Sequence, residues 1–306
     1  MERVIQTHLS CSIPLADDFR VGDALDFHGR DTLAVAERID GHCLQKGLMW
    51  EGQAASLTIR LEIGHADVEL AIDGITNANQ DALIQMVRRM LGLTQRIEDF
   101  ESIYRTHPQL GLLIARQPGL RVPLSATPFE ALTWAITGQQ ISIGAAISLR
   151  RKFIQLTGVK DSSGLACYPD AGKVANLSET ELRQAGFSQT KAQTLIMLSR
   201  EVAANRLPLK AWMTTMPVEE IHKQLLSLRG IGPWTVNYAL LRGFGWLDGS
   251  LHGDAAVRRK LQLLLSSTEK VTESFTERRL AEFSPWRALV AAHLWTIPSE
   301  FLPVVK

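Results

Sequence analysis

Leu228-Arg229-Gly230-Ile231-Gly232-Pro233-Trp234-Thr235 stands between two stretches of helical periodicity. Two glycines around one aliphatic residue favour a tight turn, and Pro233 suits the first turn of a following helix. The first backbone N–H groups of that helix have no partner within it, and its dipole favours an anion there. Such a turn can hold a phosphate without any lysine. Taken alone, a Gly-x-Gly turn between helices is as readily structural as functional, so its meaning depends on the residues around it.

Twenty residues on comes His252-Gly253-Asp254-Ala255-Ala256-Val257-Arg258-Arg259-Lys260, with Asp254 placed as the N-cap of a helix. Upstream, Thr127-Pro128-Phe129-Glu130 combines a capping box with proline at the first helical position. Ser178-Glu179-Thr180-Glu181 is a second box, with Gly186 at the expected C-terminal stop. Helical spacing continues over 189–204, 218–227, 254–265 and 285–295, and no strand pattern follows residue 92.

The first ninety residues read differently. Leu57, Ile59, Leu61 and Ile63 alternate with polar neighbours, and the alternation resumes at Val68, Leu70 and Ile72 after Gly64-His65-Ala66-Asp67. This predicts a half-buried antiparallel hairpin. Residues 78–91 switch to helical period, with Leu83, Met86, Val87 and Met90 on one face. The expected fold is α+β: a small N-terminal antiparallel sheet with a helix, followed by a mostly α-helical body.

Composition narrows the function classes. A hydrophobic fraction of 45% with 21% charged residues excludes a wholly disordered chain. Charge nearly cancels at +1, so no global basic field announces a polyanion. The balance is uneven, with 12 basic against 17 acidic residues in 1–124 and 21 against 15 in 125–306. Cys11, Cys43 and Cys167 are too scattered for a disulfide framework or a Cys-x-x-Cys metal site, and reduced, buried thiols are expected. The eight histidines form no His-x-x-x-His pair. The N-terminal residues 1–8 lack the apolar core of a signal peptide, and no apolar run has the length of a membrane span. A cytoplasmic protein without membrane association is expected.

Taken together the motifs resemble a family. Leu228-x-Gly230-Ile231-Gly232-x-Trp234-Thr235-x-Asn237-Tyr238, the aspartate at 254, and Pro285-Trp286-Arg287 with His293-Leu294-Trp295 are similar to the helix-hairpin-helix DNA glycosylases. Within that superfamily they look most like the DNA-3-methyladenine glycosylase II branch. Gly138-Gln139-Gln140-Ile141-Ser142, Gly186-Phe187-Ser188 with Lys191-Ala192, and Arg121-Val122-Pro123 also match. The resemblance covers nearly the whole chain. It implies an N-terminal α+β domain over 1–90 and two helical subdomains. One, 91–124 plus 247–306, carries Asp254; the other, 125–246, carries the hairpin.

The resemblance also implies roles. Asp254 matches the catalytic aspartate, whose charge would stabilise an oxocarbenium-like sugar and orient the attacking water. Trp234, Tyr238 and Trp295 match aromatics of a base pocket, with Phe27 a looser match from the N-terminal domain. Electron-rich rings suit the positive charge of many alkylated bases. Gly230, Ile231, Gly232 and Thr235 would hold DNA at the hairpin. Gln140 sits at the wedge position that fills the gap left by a flipped base, where the best-known type of the branch has an aliphatic residue. At His252-Gly253 that type has a proline and another acidic residue, a second departure.

Strand-nicking members of the superfamily carry a lysine where this chain has Trp234, and Arg229 and Arg242 cannot act as amine nucleophiles. The iron–sulfur branch needs four clustered cysteines. The expected protein is therefore a monofunctional, monomeric glycosylase that removes alkylated bases of the 3-methyladenine type from double-stranded DNA, leaving an abasic site. No cofactor is expected, beyond a structural monovalent cation that the resemblance allows on the hairpin carbonyls. Two other readings compete: a glycosylase for oxidised or mismatched bases, and a non-catalytic DNA-binding protein.

Overall fold

The computed structural model describes residues 5–77 and 79–298. The chain opens with β1 (Gln6–Pro14), α1 (Val21–His28), β2 (Glu37–Asp40), β3 (Cys43–Trp50), β4 (Gln53–Glu62) and β5 (His65–Asp73), then α2 (Gln80–Met90). The strands form one antiparallel sheet in the order β1-β5-β4-β3-β2. The alternating residues of β4 and β5 do meet: Leu57 pairs with Leu70 and Ile59 with Val68, all four buried. The turn between them is tighter than the sequence suggests. Gly64 turns with φ +79°, and pairing already begins at His65 opposite Glu62. The helix α2 covers the sheet with Leu83, Met86, Val87 and Met90, the face its periodicity predicts.

Two strands, β2 and β3, leave no clean alternation, whereas β1 alternates Leu9, Cys11 and Ile13 with serines. In β3 both Lys46 and Gly47 are buried, because the strand faces the helical body as well as its own sheet. Gly47 is required there: a Cβ would lie 2.2 Å from the carbonyl oxygen of Ala166. The residues that break the pattern are the ones that join the two units.

The body comprises α3 (Ile97–Tyr104), α4 (Leu110–Arg116), α5 (Pro128–Gly138), α6 (Ile143–Thr157), α7 (Ala171–Ala175), α8 (Glu179–Gln184), α9 (Gln189–Ala203), α10 (Leu209–Thr215), α11 (Val218–Leu226), α12 (Pro233–Ala239), α13 (Ala255–Leu264), α14 (Glu273–Ala281) and α15 (Arg287–Trp295). A π-helical turn, Leu240–Phe244, continues α12. Among the described residues no strand follows β5. One apolar cluster joins residues of α3, α4, α13, α14 and α15, a second gathers α5 to α12, and a third lies under the sheet. Every residue of α5 from Pro128 to Thr137 is buried, which makes this helix the axis of the molecule.

The two capping boxes end differently. At Ser178 both halves form, the Glu181 carboxylate accepting from the Ser178 N–H at 2.7 Å. At Thr127 only the hydroxyl half forms, accepting from the Glu130 N–H. The Glu130 carboxylate instead accepts from Lys46 Nζ at 2.7 Å and Arg150 Nη2 at 3.2 Å. Both cations also reach Glu37, each at 2.5 Å. Burial works against the Glu37 carboxylate, but Arg150 and Lys46 outweigh it and hold the group well below the usual range. This buried quartet pins the sheet to α5 and α6, and removing one partner would strand the others without solvent. Of the three free cysteines only Cys167 is buried; Cys11 and Cys43 are half-buried.

Candidate active site

Asp254 caps α13, as its position suggested, and accepts from the N–H groups of Ala256 and Val257 at 2.8 and 2.9 Å. Those bonds engage Oδ1. The other oxygen, Oδ2, accepts from Trp234 Nε1 at 2.9 Å, while Trp295 Nε1 approaches Oδ1 at 3.4 Å. Donors from three elements therefore fix the carboxylate, which remains half-buried rather than sealed. A cap and a chemically available anion coexist in one side chain.

The aromatic residues gather beside it. Trp234 and Tyr238, one turn apart on α12, have ring centroids 5.4 Å apart, and Tyr238 stands 6.2 Å from Trp295. Phe27, at the end of α1, joins them from the N-terminal unit: Arg242 lies 4.4 Å from its ring centroid and 5.5 Å from that of Trp295. All four aromatics expected from the sequence thus belong to one locality with Asp254.

Three residues of this locality were not anticipated there. Trp134 donates its indole N–H to the Tyr238 hydroxyl at 2.8 Å. It lies on α5, where nearly everything is apolar or buried, so nothing in the pattern distinguishes it from core. Arg30, two residues beyond α1, stacks on Trp134 and Phe27 at 4.0 and 4.4 Å. Arg242 donates to the Pro123 carbonyl at 2.7 Å from the π-helical turn. Burial pulls its pKa down to about 10, and the positive charge of Arg30 adds to the effect. A π-turn in the middle of a helical run was the only structural signal for Arg242, and sequence periodicity does not reveal one.

The hairpin lies one helical turn from this cluster. Gly230 has φ +83°, and a Cβ there would fall 2.1 Å from Thr194 Oγ1 on α9. Gly232 is the N-cap of α12 and faces open space. The first intrahelical bond runs from the Val236 N–H to the Gly232 carbonyl, so the preceding N–H groups of α12 have no helical partner. Two expected DNA contacts do not present their side chains. Ile231 is packed into the second apolar cluster, and its N–H donates to the Leu228 carbonyl. Thr235 is buried and its hydroxyl accepts from Gln139 Nε2 at 2.9 Å. Ile231 anchors the turn in the apolar cluster, and Thr235 ties it to the α5–α6 turn through Gln139.

Gln139 also donates to the Gly230 carbonyl at 3.0 Å, which locks the α5–α6 turn to the hairpin. Gln140, next in that turn, is exposed with φ +57°. Ile141 and Ile143 follow it, 38% and 70% exposed. The turn runs close to the aromatic cluster, since a Cβ on Gly138 would touch the Trp234 ring at 4.0 Å.

Among the described residues no group of three His, Cys, Asp or Glu side chains is placed to hold a metal ion. The hairpin carbonyls of Leu228 and Gly230 already accept hydrogen bonds from Ile231 and Gln139. No described helix is long and apolar enough to cross a membrane.

Residues 133–285 match the model of the HhH-GPD superfamily base excision DNA repair proteins, and residues 11–127 that of the AlkA N-terminal domain. The chain is 31% identical over 190 residues to DNA-3-methyladenine glycosylase 2 of Escherichia coli (strain K12), covering 61% of this chain and 63% of that one. It is 24% identical over 221 residues to DNA-3-methyladenine glycosylase of Bacillus subtilis (strain 168), covering 71% and 73%. In fold it is similar to a 3-methyladenine DNA glycosylase from Archaeoglobus fulgidus, with a TM-score of 0.79 at 22% identity, covering 93% of this chain and 97% of that one. With its superfamily match spanning the α5 to α14 body that carries hairpin and aspartate, the chain belongs to the HhH-GPD superfamily of base excision DNA repair proteins.

Proposed function

We propose that the protein is a monofunctional DNA glycosylase that removes alkylated bases of the 3-methyladenine type from double-stranded DNA and leaves an abasic site. The observation that carries this reading is the Asp254 carboxylate, held by two indole N–H groups at the edge of an aromatic cluster. The names of its relatives in Escherichia coli and Bacillus subtilis support the same activity.

The chemistry follows from the parts. As the bond between base and sugar lengthens, the sugar gains positive charge, and a fixed carboxylate stabilises it without reorganising. Asp254 also accepts the proton of the attacking water, which adds to the anomeric carbon. The stacked rings of Trp234, Tyr238 and Trp295 hold the flipped base, while Gln140 and its exposed isoleucine neighbours enter the gap in the duplex. The open N-terminus of α12 receives a backbone phosphate. We read the protein as a cytoplasmic monomer that uses no cofactor.

The reading is tested by incubating the protein with methylated duplex DNA at neutral pH and identifying the released bases by chromatography. Release of 3-methyladenine, absent with Asp254→Asn, is expected. Intact DNA after prolonged incubation, combined with tight binding, would leave the non-catalytic reading.

A further inference from the structure

A charged cluster that the aromatic pocket does not use adjoins Asp254. Arg258, one turn along α13 from the aspartate, points back toward the helix start, as helical side chains do. Its Nη1 donates to the carbonyls of Gly253 and His252 at 3.0 and 3.4 Å, the two residues before Asp254. Among the described residues its Nε and Nη2 donate to nothing. His252 Nδ1 lies 2.8 Å from the Ser250 hydroxyl. With that hydroxyl as donor, the ring proton sits on Nε2, which then donates even from the neutral imidazole. Both side chains are partly exposed, and both face the exposed Glu273 carboxylate at the start of α14, Arg258 at 3.6 Å and His252 at 3.8 Å. These separations are too long for hydrogen bonds. The cluster borders the reacting centre, since a Cβ on Gly253 would lie 3.6 Å from Glu273 Oε1 and 3.9 Å from Trp234 Cβ.

We propose that Arg258 and His252 form the seat of a phosphate adjoining the flipped nucleotide, and that the Glu273 carboxylate occupies this seat in the free protein. The inference rests on the glycosylase reading, because it takes the sugar to lie against Asp254. A sugar held there carries a phosphate on each side, so one phosphate must pass close to the carboxylate. Without a cation it would meet the like charges of Asp254 and Glu273. The unspent edge of the Arg258 guanidinium matches two phosphate oxygens, and His252 Nε2 offers a third donor. Glu273 is easily displaced, since an exposed ion pair without a hydrogen bond contributes little. The seat is separate from the open start of α12, which lies on the hairpin arm. Because Arg258 also holds the two carbonyls before Asp254, the seated phosphate and the carboxylate are set by one side chain.

The test measures affinity for three duplexes that carry an abasic-site analogue: one with ordinary phosphates, and two with a neutral methylphosphonate on one or the other side of the analogue. Arg258→Ala should bind the ordinary duplex at least tenfold more weakly than the wild type, and His252→Ala at least threefold. Both penalties should vanish on the same one of the two methylphosphonate duplexes. Glu273→Gln should bind the ordinary duplex at least threefold more tightly, because the seat is no longer contested, and should lose that gain on the same methylphosphonate duplex. Equal penalties on all three duplexes in folded Arg258→Ala or His252→Ala protein, the mark of a merely structural role, overturn the inference. So does unchanged or weaker binding by Glu273→Gln. Should Arg258→Ala fail to fold, the Glu273→Gln gain and its dependence on one phosphate decide. Wild-type base release from methylated DNA is followed in parallel. Its absence would overturn the glycosylase reading, whereas the binding outcomes above overturn the phosphate seat alone.

Discussion

Trp234 donates its indole N–H to Asp254 Oδ2 at 2.9 Å, across twenty residues of sequence. The bond links the first turn of α12, just beyond the hairpin, to the cap of α13. The hairpin and the Asp254 carboxylate are thereby set at a fixed spacing, which the proposed reaction would use. A carboxylate that must be close to a sugar, yet not rotate toward it prematurely, gains from such a tether.

Asp254→Asn is expected to abolish base release while leaving affinity for an abasic-site analogue nearly unchanged. The amide keeps the shape but removes the charge, which matters in the transition state and little in the ground state. Single-turnover kinetics check it. A variant retaining more than about a tenth of the wild-type rate, a loss under ~1.4 kcal/mol, would take the assigned role away from Asp254. The same substitution weakens the α13 cap only modestly, since asparagine caps helices nearly as well.

Trp234→Phe isolates the tether. The ring and its packing on Tyr238 survive, and only the donor to Asp254 is lost. A hydrogen bond to a charged group contributes about 1.5–3 kcal/mol, so a rate loss of roughly tenfold to a hundredfold is expected, smaller than that of Asp254→Asn. An unchanged rate would show that the two cap bonds and Trp295 suffice to hold the carboxylate.

The hairpin glycines separate fold from function. Gly230→Val should destabilise the protein, because it puts a β-branched residue at φ +83° and against Thr194. Gly232 faces open space at an ordinary negative φ, so Gly232→Val should leave thermal stability nearly unchanged. It should still weaken binding to duplexes of any sequence by a similar factor, since phosphate contacts position a protein without reading bases. Undiminished DNA binding by a folded Gly232→Val protein would make the hairpin a purely structural turn.

What the sequence disclosed follows from how local each signal is. Caps, turn glycines and single-face helices depend on a few neighbours, and Thr127, Ser178, α2 and the hairpin were all legible. Glu130 was legible as half of a box, but its carboxylate is taken by Lys46 from another unit, a partner 84 residues away that no local rule names. The strand β3 hid for the same reason: a fully buried lysine reads as a solvent-facing position. In the site, Asp254 and the α12 aromatics were legible through the resemblance of their motifs to those of a known family. Trp134, Arg30 and Arg242 depend on the packing of α1, α5 and a π-turn against one another, which has no signature along the chain.

His293 gives the fold a pH dependence with a definite sign. Both ring nitrogens are buried without a partner, beside Phe100, and burial pushes the pKa from the ordinary 6.5 down to about 4. Between these values the unfolded chain binds a proton that the folded chain does not, so stability rises with pH through that window. Acidification from 6.5 toward 4 should therefore remove about 3 kcal/mol, with no further loss from this group below 4. His293→Leu should flatten that part of the profile in denaturant titrations at several pH values. An unchanged slope would assign the acid sensitivity to other groups.

The last prediction concerns the nucleophile. Trp234 occupies the place where strand-nicking relatives carry an amine, and its only nitrogen is engaged with Asp254. The lysines nearest in sequence are badly placed. Lys223 lies in the last turn of α11, on the other arm of the hairpin from Trp234, and Lys260 is buried on α13, six residues beyond the aspartate. Arg30 and Arg242, which do reach the pocket, carry guanidinium groups and form no Schiff base. Water is then the only nucleophile, and borohydride added during turnover should trap no covalent protein–DNA species. The product strand should stay intact until alkali or a separate endonuclease cleaves it. Because stray amines attack abasic sites slowly, the assay must compare rates: trapping or nicking as fast as base release would move the protein to the bifunctional class and require an amine close to the Asp254 carboxylate.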